Sequence, residues 1–175
     1  GATPTRPDPL CWIKEPIKDV ADFKTMKFRA PPGITGEIFK EMGISAVALP
    51  GGEIVPAAQR GTIDAAEWIG PADDRNLGLH TIWKNYYLQG LHQSTDIGEV
   101  LINKTVWDKL PPDLKEIIRT AAMASMTETY TYNVYRNAQA IVKLRNEFKV
   151  NIHDTPKDFF PEFVRATNVV LDRYA

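Results

Sequence analysis

The chain has 175 residues, 43% of them apolar and 25% charged, with a net charge of −1, which fits one well-buried globule and leaves no surplus charge to attract nucleic acid or an anionic membrane. The charges are interspersed rather than blocked, and no run approaches the roughly 20 apolar residues of a membrane-spanning helix. A single cysteine, Cys11, cannot form an intramolecular disulfide and reads as a small buried hydrophobe beside Trp12 and Ile13.

Residues 1–9, GATPTRPDP, are proline-rich and expected to be a flexible tail rather than a helix or central strand. Residues 10–13 read as a short strand. Asp19 is placed to cap a short helix, with Asp22 near its positive end. Met26 to Arg29 alternates as a strand does and is closed by Pro31-Pro32-Gly33, so Arg29 stands at a strand's exit. The spacing of Ile34, Ile38, Phe39 and Met42 predicts a helix ended by Gly43, and a strand over 45–49 follows.

Gly51-Gly52 lacks any phosphate-loop pattern and is read as a turn leading to a short helix. The stretch 61–71, GTIDAAEWIGP, then reads as a buried strand through Ile63, Ala65 and Ala66 that delivers Glu67 and Trp68 to its end. Strand, helix, strand, helix, strand over 26–68 is a βαβ pattern with parallel neighbours, and ligands bind such sheets at the carboxyl edge.

Beyond Pro71 the sequence predicts a polar, turn-rich segment in which Asp73, Asp74 and Arg75 form an exposed loop with its own ion pair. Residues 80–88 read as a short helix, 91–93 and 97–103 as strands, and 104–110 as one or two helical turns. Neither glycine nor proline occurs over 113–148, and a helix of that length reaches roughly 50 Å, so it must bend or bridge two bodies. An edge strand over 149–153 and an amphipathic helix over 156–174 close the chain.

Two charged residues stand at strand ends. Glu67 either pairs with Arg60 or Arg75, or offers its oxygens to a cation or a ligand hydroxyl while Trp68 makes an apolar wall. Arg29 either pairs with Glu37 or Glu53, or uses its planar fork to hold the carboxylate of a small organic acid. Of His80, His92 and His153, only His92, next to Gln93, lies where a site is expected, and a structural role suits it better than that of a catalytic base. No nucleophile-and-base motif occurs, so an arginine, an acid and several aromatics describe a binding pocket better than an active site.

The stretches CWIKEPIKDVADFKTMKFR, LPGGEIVPAAQRGTIDAAEWIGP, YYLQGLHQ and NKTVWDKLPPDLKEII together cover nearly the whole chain. In them the sequence resembles the later part of the DctP-like solute-binding proteins of tripartite ATP-independent periplasmic (TRAP) transporters, in the branch that handles 2-oxo acids and lactate. The resemblance implies an α/β chain that is part of a two-domain periplasmic binding protein (type II-like) fold with a long helix crossing both domains. Residues 10–66 and 104–175 would form mainly the second domain, and 67–103 hinge strands and a remnant of the first, whose opening units have no counterpart here.

By the same resemblance Arg29 grips the substrate carboxylate, and Glu67 and the Trp68 carbonyl are cation ligands. Gln93 stands where members often carry another acid; hard cations favour charged oxygen donors, so Gln93 marks a departure from the pattern. The implied cofactor is a Na+ or Ca2+ ion bridging the ligand. The implied partners are a small organic acid and the TRAP permease subunits in the membrane, and the implied compartment is the periplasm. A truncated, self-associating fragment that dimerises through exposed or swapped elements is the alternative expectation, and an enzyme acting on organic acids a minor one.

Overall fold

The architecture is that of a computed structural model, which describes residues 2–4, 8–93 and 97–175. Strands β1 (Ala2–Pro4) and β2 (Cys11–Ile13) precede helix α1 (Val20–Lys24), after which β3 (Lys27–Arg29), α2 (Ile34–Glu41), β4 (Ser45–Val47), α3 (Gly51–Gln59) and β5 (Ala65–Ala66) alternate. Then come α4 (Pro71–Leu77), a 3-10 turn (Leu79–Thr81), β6 (Asn85–Tyr87), β7 (Ile97–Glu99), α5 (Lys104–Lys109), α6 (Pro112–Asn146), β8 (Asn151–His153) and α7 (Phe159–Asp172).

Six strands form one sheet in the order β4-β3-β5-β2-β6-β8. β3 pairs parallel with both β4 and β5, as the alternation over 26–68 predicts, and β6 pairs parallel with β8. β2 runs antiparallel between β5 and β6. The carboxyl ends of β3, β5 and β6 therefore share one edge with the amino end of β2, and that edge carries the site.

Side chains alternate across the sheet with period two, and the core divides accordingly. Cys11, Ile13, Ala65 and Tyr87 face one side, where Phe23, Phe28, Phe39, Phe159 and Phe163 pack between α1, α2 and α7. Trp12, Ala66 and Tyr86 face the other, with Ile54, Trp83 and Leu144. Helix α1 begins as expected: Asp19 Oδ1 accepts from Asp22 N–H at 2.9 Å, and Asp22 Oδ2 accepts in return from Lys18 N–H at 2.9 Å.

Several expectations are corrected. The glycine pair opens α3 instead of forming a separate turn, and the polar segment after Pro71 is helix α4, with Pro71 in its first turn and Gly78 closing it at φ 96°. The expected helix over 80–88 is a 3-10 turn followed by β6. The period-two burial of Tyr86 and Tyr87 on opposite sheet faces decides it, since a strand satisfies both hydroxyls: Tyr87 Oη bonds Ile17 N and O, and Tyr86 Oη donates to Asp74. Residues 91–93 form a turn, and the strand expected over 97–103 covers only Ile97–Glu99. Its partner is β1, so Ala2–Pro4, expected as flexible tail, forms an antiparallel pair in a separate two-stranded sheet.

The long helix is α6, whose 35 residues span about 52 Å at the usual rise. Only Ala140 and Leu144 of it are buried, so its carboxyl-terminal part anchors to the six-stranded sheet while the rest extends beyond it. A hollow of about 650 Å³ lies along that extension, lined by apolar side chains including Val100, Leu101, Ile102, Trp107 and Met123.

Candidate functional site

Parallel pairing puts Arg29, the last residue of β3, opposite Ala66, the last residue of β5. The ladder then continues one step, with Glu67 N–H donating to Arg29 O at 3.2 Å. Both side chains are thereby delivered to the same place on the sheet edge. Arg29 is 5% exposed and Glu67 2%, a depth at which neither charge is tolerable without the other.

Arg29 Nη1 donates to Glu67 Oε1 and, at 3.0 Å, to Glu67 O, while Nε donates to Leu49 O at 3.1 Å. The Trp68 indole lies over the guanidinium, 5.4 Å from Cζ to ring centroid. The pairings of Arg29 with Glu37 or Glu53, and of Glu67 with Arg60 or Arg75, give way to this one. Burial lowers the Arg29 pKa, and the Glu67 charge offsets part of that shift; a guanidinium in such company stays a cation.

One oxygen of Glu67 is unspent. Oε2 is buried and has no hydrogen-bond partner among the described residues. Facing it at 3.9 Å is Nε2 of His92, whose side chain is fully shielded from solvent. Asp8, 4% exposed, enters the same edge just before β2, and its N–H donates to Gln93 O at 2.9 Å. Asp8, Glu67 and His92 each bring a ligand-type atom within 4.8 Å of the others. The turn carrying His92 closes this tightly only because residue 90 is glycine: a Cβ there would lie 2.6 Å from Asp8 O and 2.9 Å from His92 Nδ1.

Of the residues singled out in the sequence, then, Arg29, Glu67 and Trp68 meet. Gln93 is adjacent to His92 and half-buried, with its carbonyl occupied by Asp8. The groups that gather with Glu67 are His92, which the sequence favoured as structural, and Asp8, which lay hidden in the proline-rich segment. Asp8 becomes visible only once β2 is known to run against its neighbours, which brings its entry to the edge where they leave.

A cavity of about 210 Å³ opens beside Asp8, lined by Ile69, Leu88 and by Asn133, Asn137 and Ile141 of α6. Asn137 Oδ1 accepts from Ala72 N–H at 3.0 Å, tying the long helix to α4 at the cavity's wall. Other titratable groups have structural work. His153 Nε2 lies 2.9 Å from Asn85 Oδ1 with its ring stacked on Tyr87. The Cys11 thiol is fully buried, and burial with the Glu67 charge pushes its pKa up, leaving an inert hydrophobe.

Asp74 corrects the expectation of an exposed, self-paired loop. It is 1% exposed and accepts from Trp12 Nε1 at 2.8 Å, Tyr86 Oη at 2.7 Å, Ile69 N at 3.0 Å and Gly70 N at 2.9 Å. Those last two bonds hold the chain directly after Trp68. Gly51 fixes the indole from the other side, since a Cβ at that position would lie 2.4 Å from Trp68 Cη2. Gly51→Ala is expected to push Trp68 off the guanidinium and to cost about 1–3 kcal/mol of stability, read as a lowered urea midpoint and an altered near-ultraviolet circular dichroism band.

The chain matches the family model for DctP, bacterial extracellular solute-binding protein, family 7, over residues 12–175. A monocarboxylate 2-oxoacid-binding periplasmic protein of Nostoc sp. is 40% identical over 134 residues, which are 76% of this chain and 36% of that protein. Among solved structures, a TRAP periplasmic solute-binding protein from Colwellia psychrerythraea with bound calcium and pyruvate superposes with a TM-score of 0.89 at 29% identity, covering 98% of this chain and 52% of that one. One from Pseudoalteromonas atlantica with bound sodium and pyruvate gives 0.87 at 29% identity, covering 99% and 52%. A third, from Bordetella bronchiseptica, is described as a mixed-occupancy dimer with calcium and picolinate in one site, and gives 0.86 at 26% identity over 98% and 52%.

The mixed α/β architecture is thus that of these two-domain folds, of which this chain spans about half the length, and little more than a third of the curated relative. The match to the family model extends across almost every element described above, from β2 to the end of α7. The chain belongs to the DctP family of bacterial extracellular solute-binding proteins, a family of binding proteins rather than enzymes.

Proposed function

We propose that this chain carries the carboxylate-gripping part of a periplasmic receptor that captures a small monocarboxylate, of the 2-oxo, hydroxy or aromatic kind, for a TRAP membrane permease. The observation that carries the reading is the buried contact of Arg29 with Glu67 at adjacent strand ends, with Glu67 Oε2 left unspent. Arg29 Nε and Nη1 are engaged by Leu49 and Glu67, which aims the fork and leaves Nη2 for a carboxylate oxygen. The cavity of about 210 Å³ beside Asp8 does not have Arg29 or Glu67 among its described lining residues; its size, below the roughly 300–1,000 Å³ of pockets for drug-sized ligands, suits an acid of a few heavy atoms.

A cation fits the remaining donors. A buried carboxylate oxygen with no partner, beside a second carboxylate and an imidazole, is a cost that a positive ion removes. By the family resemblance Glu67, the Trp68 carbonyl and the Gln93 amide would be its ligands, and a bound Na+ or Ca2+ would supply fixed positive charge for the solute's carboxylate. In this reading 10–66 and 104–175 form mainly the second domain of the receptor, and 67–103 hinge strands and a remnant of the first.

Calorimetric titration of pyruvate, lactate and picolinate, each with and without Ca2+, tests the reading. Heat of binding for at least one acid, enhanced by the cation, is expected. Absence of binding for all three, in both conditions, would overturn it. Self-association is the second reading, favoured by the apolar side chains standing along α6 and the segment before α5, where Leu101 is 86% and Met123 68% exposed; sedimentation equilibrium showing a dimer that takes up no acid would support it instead.

A further inference from the structure

Helix capping alone does not explain Asp74. Gly70 is the amino-terminal cap of α4, and Asp73 and Asp74 both lie in its first turn. Asp73, half-buried at the third helical position, stands where an acid ordinarily reaches back to the cap. Asp74 is instead 1% exposed, and a carboxylate so deep is costly unless it is fully bonded. Its bonds also reach past the cap: Oδ1 accepts from Gly70 N–H at 2.9 Å and, outside the helix, from Ile69 N–H at 3.0 Å.

The bond to Ile69 fixes a peptide plane of the binding edge. That N–H belongs to the peptide that carries the Trp68 carbonyl, and because the peptide is planar and trans, the carbonyl oxygen points away from Asp74. The plane on the other side of Trp68 is held as well, since Arg29 Nη1 donates to Glu67 O at 3.0 Å. With both flanking planes clamped, the backbone torsions of Trp68 are set, and with them the directions of its carbonyl and its indole. The clamp is moored to the sheet. Asp74 Oδ2 accepts from Trp12 Nε1 at 2.8 Å and from Tyr86 Oη at 2.7 Å. Those two rings stack with centroids 4.1 Å apart, and Trp12 stands opposite Ala66, the residue before Glu67.

We propose that Asp74 is a positioning residue for solute capture, which holds Trp68 in its receiving orientation through the Ile69 and Gly70 amides and acts through Trp68 rather than on the solute. The inference rests on the receptor reading of the Arg29–Glu67 edge and adds a residue to it. The two carboxylate oxygens then have different duties. Oδ1 sets the affinity, whereas Oδ2 secures the side chain to β2 and β6 and matters for stability.

Three variants of the whole chain separate this role from that of an acid that merely stabilises the fold. Pyruvate, lactate and picolinate are titrated in Ca2+, with each variant shown to be folded by far-ultraviolet circular dichroism. Tyr86→Phe removes a donor from Oδ2. Asp74→Asn keeps an oxygen for the two amides while setting its NH2 group against Trp12. Both should unfold at lower urea, yet bind the acid within about threefold of the unaltered chain, because the Ile69 bond survives. Asp74→Ala frees both amides and should weaken the acid by about 10–100-fold. Losses of affinity that follow the losses of stability across the three variants, or unchanged affinity in Asp74→Ala, would overturn the proposal. Should Asp74→Ala fail to fold, amide hydrogen exchange in the unaltered chain decides. Acid and Ca2+ must slow the Ile69 and Gly70 hydrogens by at least about tenfold more than that of Met42, which is bonded to Ile38 O at the end of α2; equal slowing overturns it. An unaltered chain that takes up no acid overturns the receptor reading together with this inference, whereas uptake indifferent to Asp74→Ala overturns this inference alone.

Discussion

Arg29→Ala is expected to destabilise the chain by about 3–5 kcal/mol and to abolish carboxylate binding. Arg29 and Glu67 are 5% and 2% exposed, so in the ion-free chain removing the guanidinium strands a carboxylate in a place shielded from solvent. The Trp68 face and the Leu49 carbonyl lose their partner in the same step. Stability and function separate in a second variant. Arg29→Met combined with Glu67→Gln removes both charges, and replacing a buried pair by neutral groups of similar size is close to neutral for folding. That double variant should unfold in urea near the unaltered chain, yet show no heat with any acid that the unaltered chain binds. Arg29→Lys keeps the charge but not the fork, and should weaken binding by at least about tenfold.

Asp74→Ala is the second large expected effect, again about 3–5 kcal/mol, because four donors converge on that carboxylate and each buried donor left alone costs about 1–3 kcal/mol without full additivity. The pH dependence gives a sharper test. Desolvation pushes the Asp74 pKa from 3.8 up to about 6, against the pull of the Ile69, Tyr86, Trp12 and Gly70 donors. The folded chain therefore holds the proton more tightly than the unfolded one. Asp74's contribution is complete below pH 3.8 and diminishes as pH rises through about 6, a loss of about 3 kcal/mol at most. Subtracting the urea-derived stability of Asp74→Asn from that of the unaltered chain at each pH isolates this slope. The difference should fall between about pH 4 and pH 6 and be flat above pH 7. A difference that rises over that interval would contradict the account.

These residues also show what the sequence made legible. Arg29 could be placed at a strand exit, and Glu67 at the end of a neighbouring parallel strand, because strand-helix alternation and the Gly70-Pro71 pair are local signals. Their contact followed from parallel register alone. The aromatic run 83–87 misled, since helical spacing and period-two burial look alike over so few residues. Asp74 misled for another reason: two adjacent acids and an arginine resemble a solvated loop, and only the convergence of Trp12 and Tyr86, from strands distant in sequence, reveals a buried acceptor. Pro71 at a first turn was a readable sign of α4. Asp8 and His92 reach Glu67 through the antiparallel entry of β2 and the Gly90 turn, a meeting that no short spacing encodes.

The central claim is that Arg29 and Glu67, side by side at one sheet edge, hold a carboxylate with a cation between. The most direct measurement is a crystal structure of the chain grown with pyruvate and a divalent ion, the ion located by its anomalous scattering. The account predicts the ion on Glu67 Oε2, at about 2.0–2.6 Å according to the metal, with a pyruvate oxygen on Arg29. Pyruvate lodged instead in the apolar hollow beside Val100 and Met123, with Glu67 Oε2 still unpartnered, would contradict it.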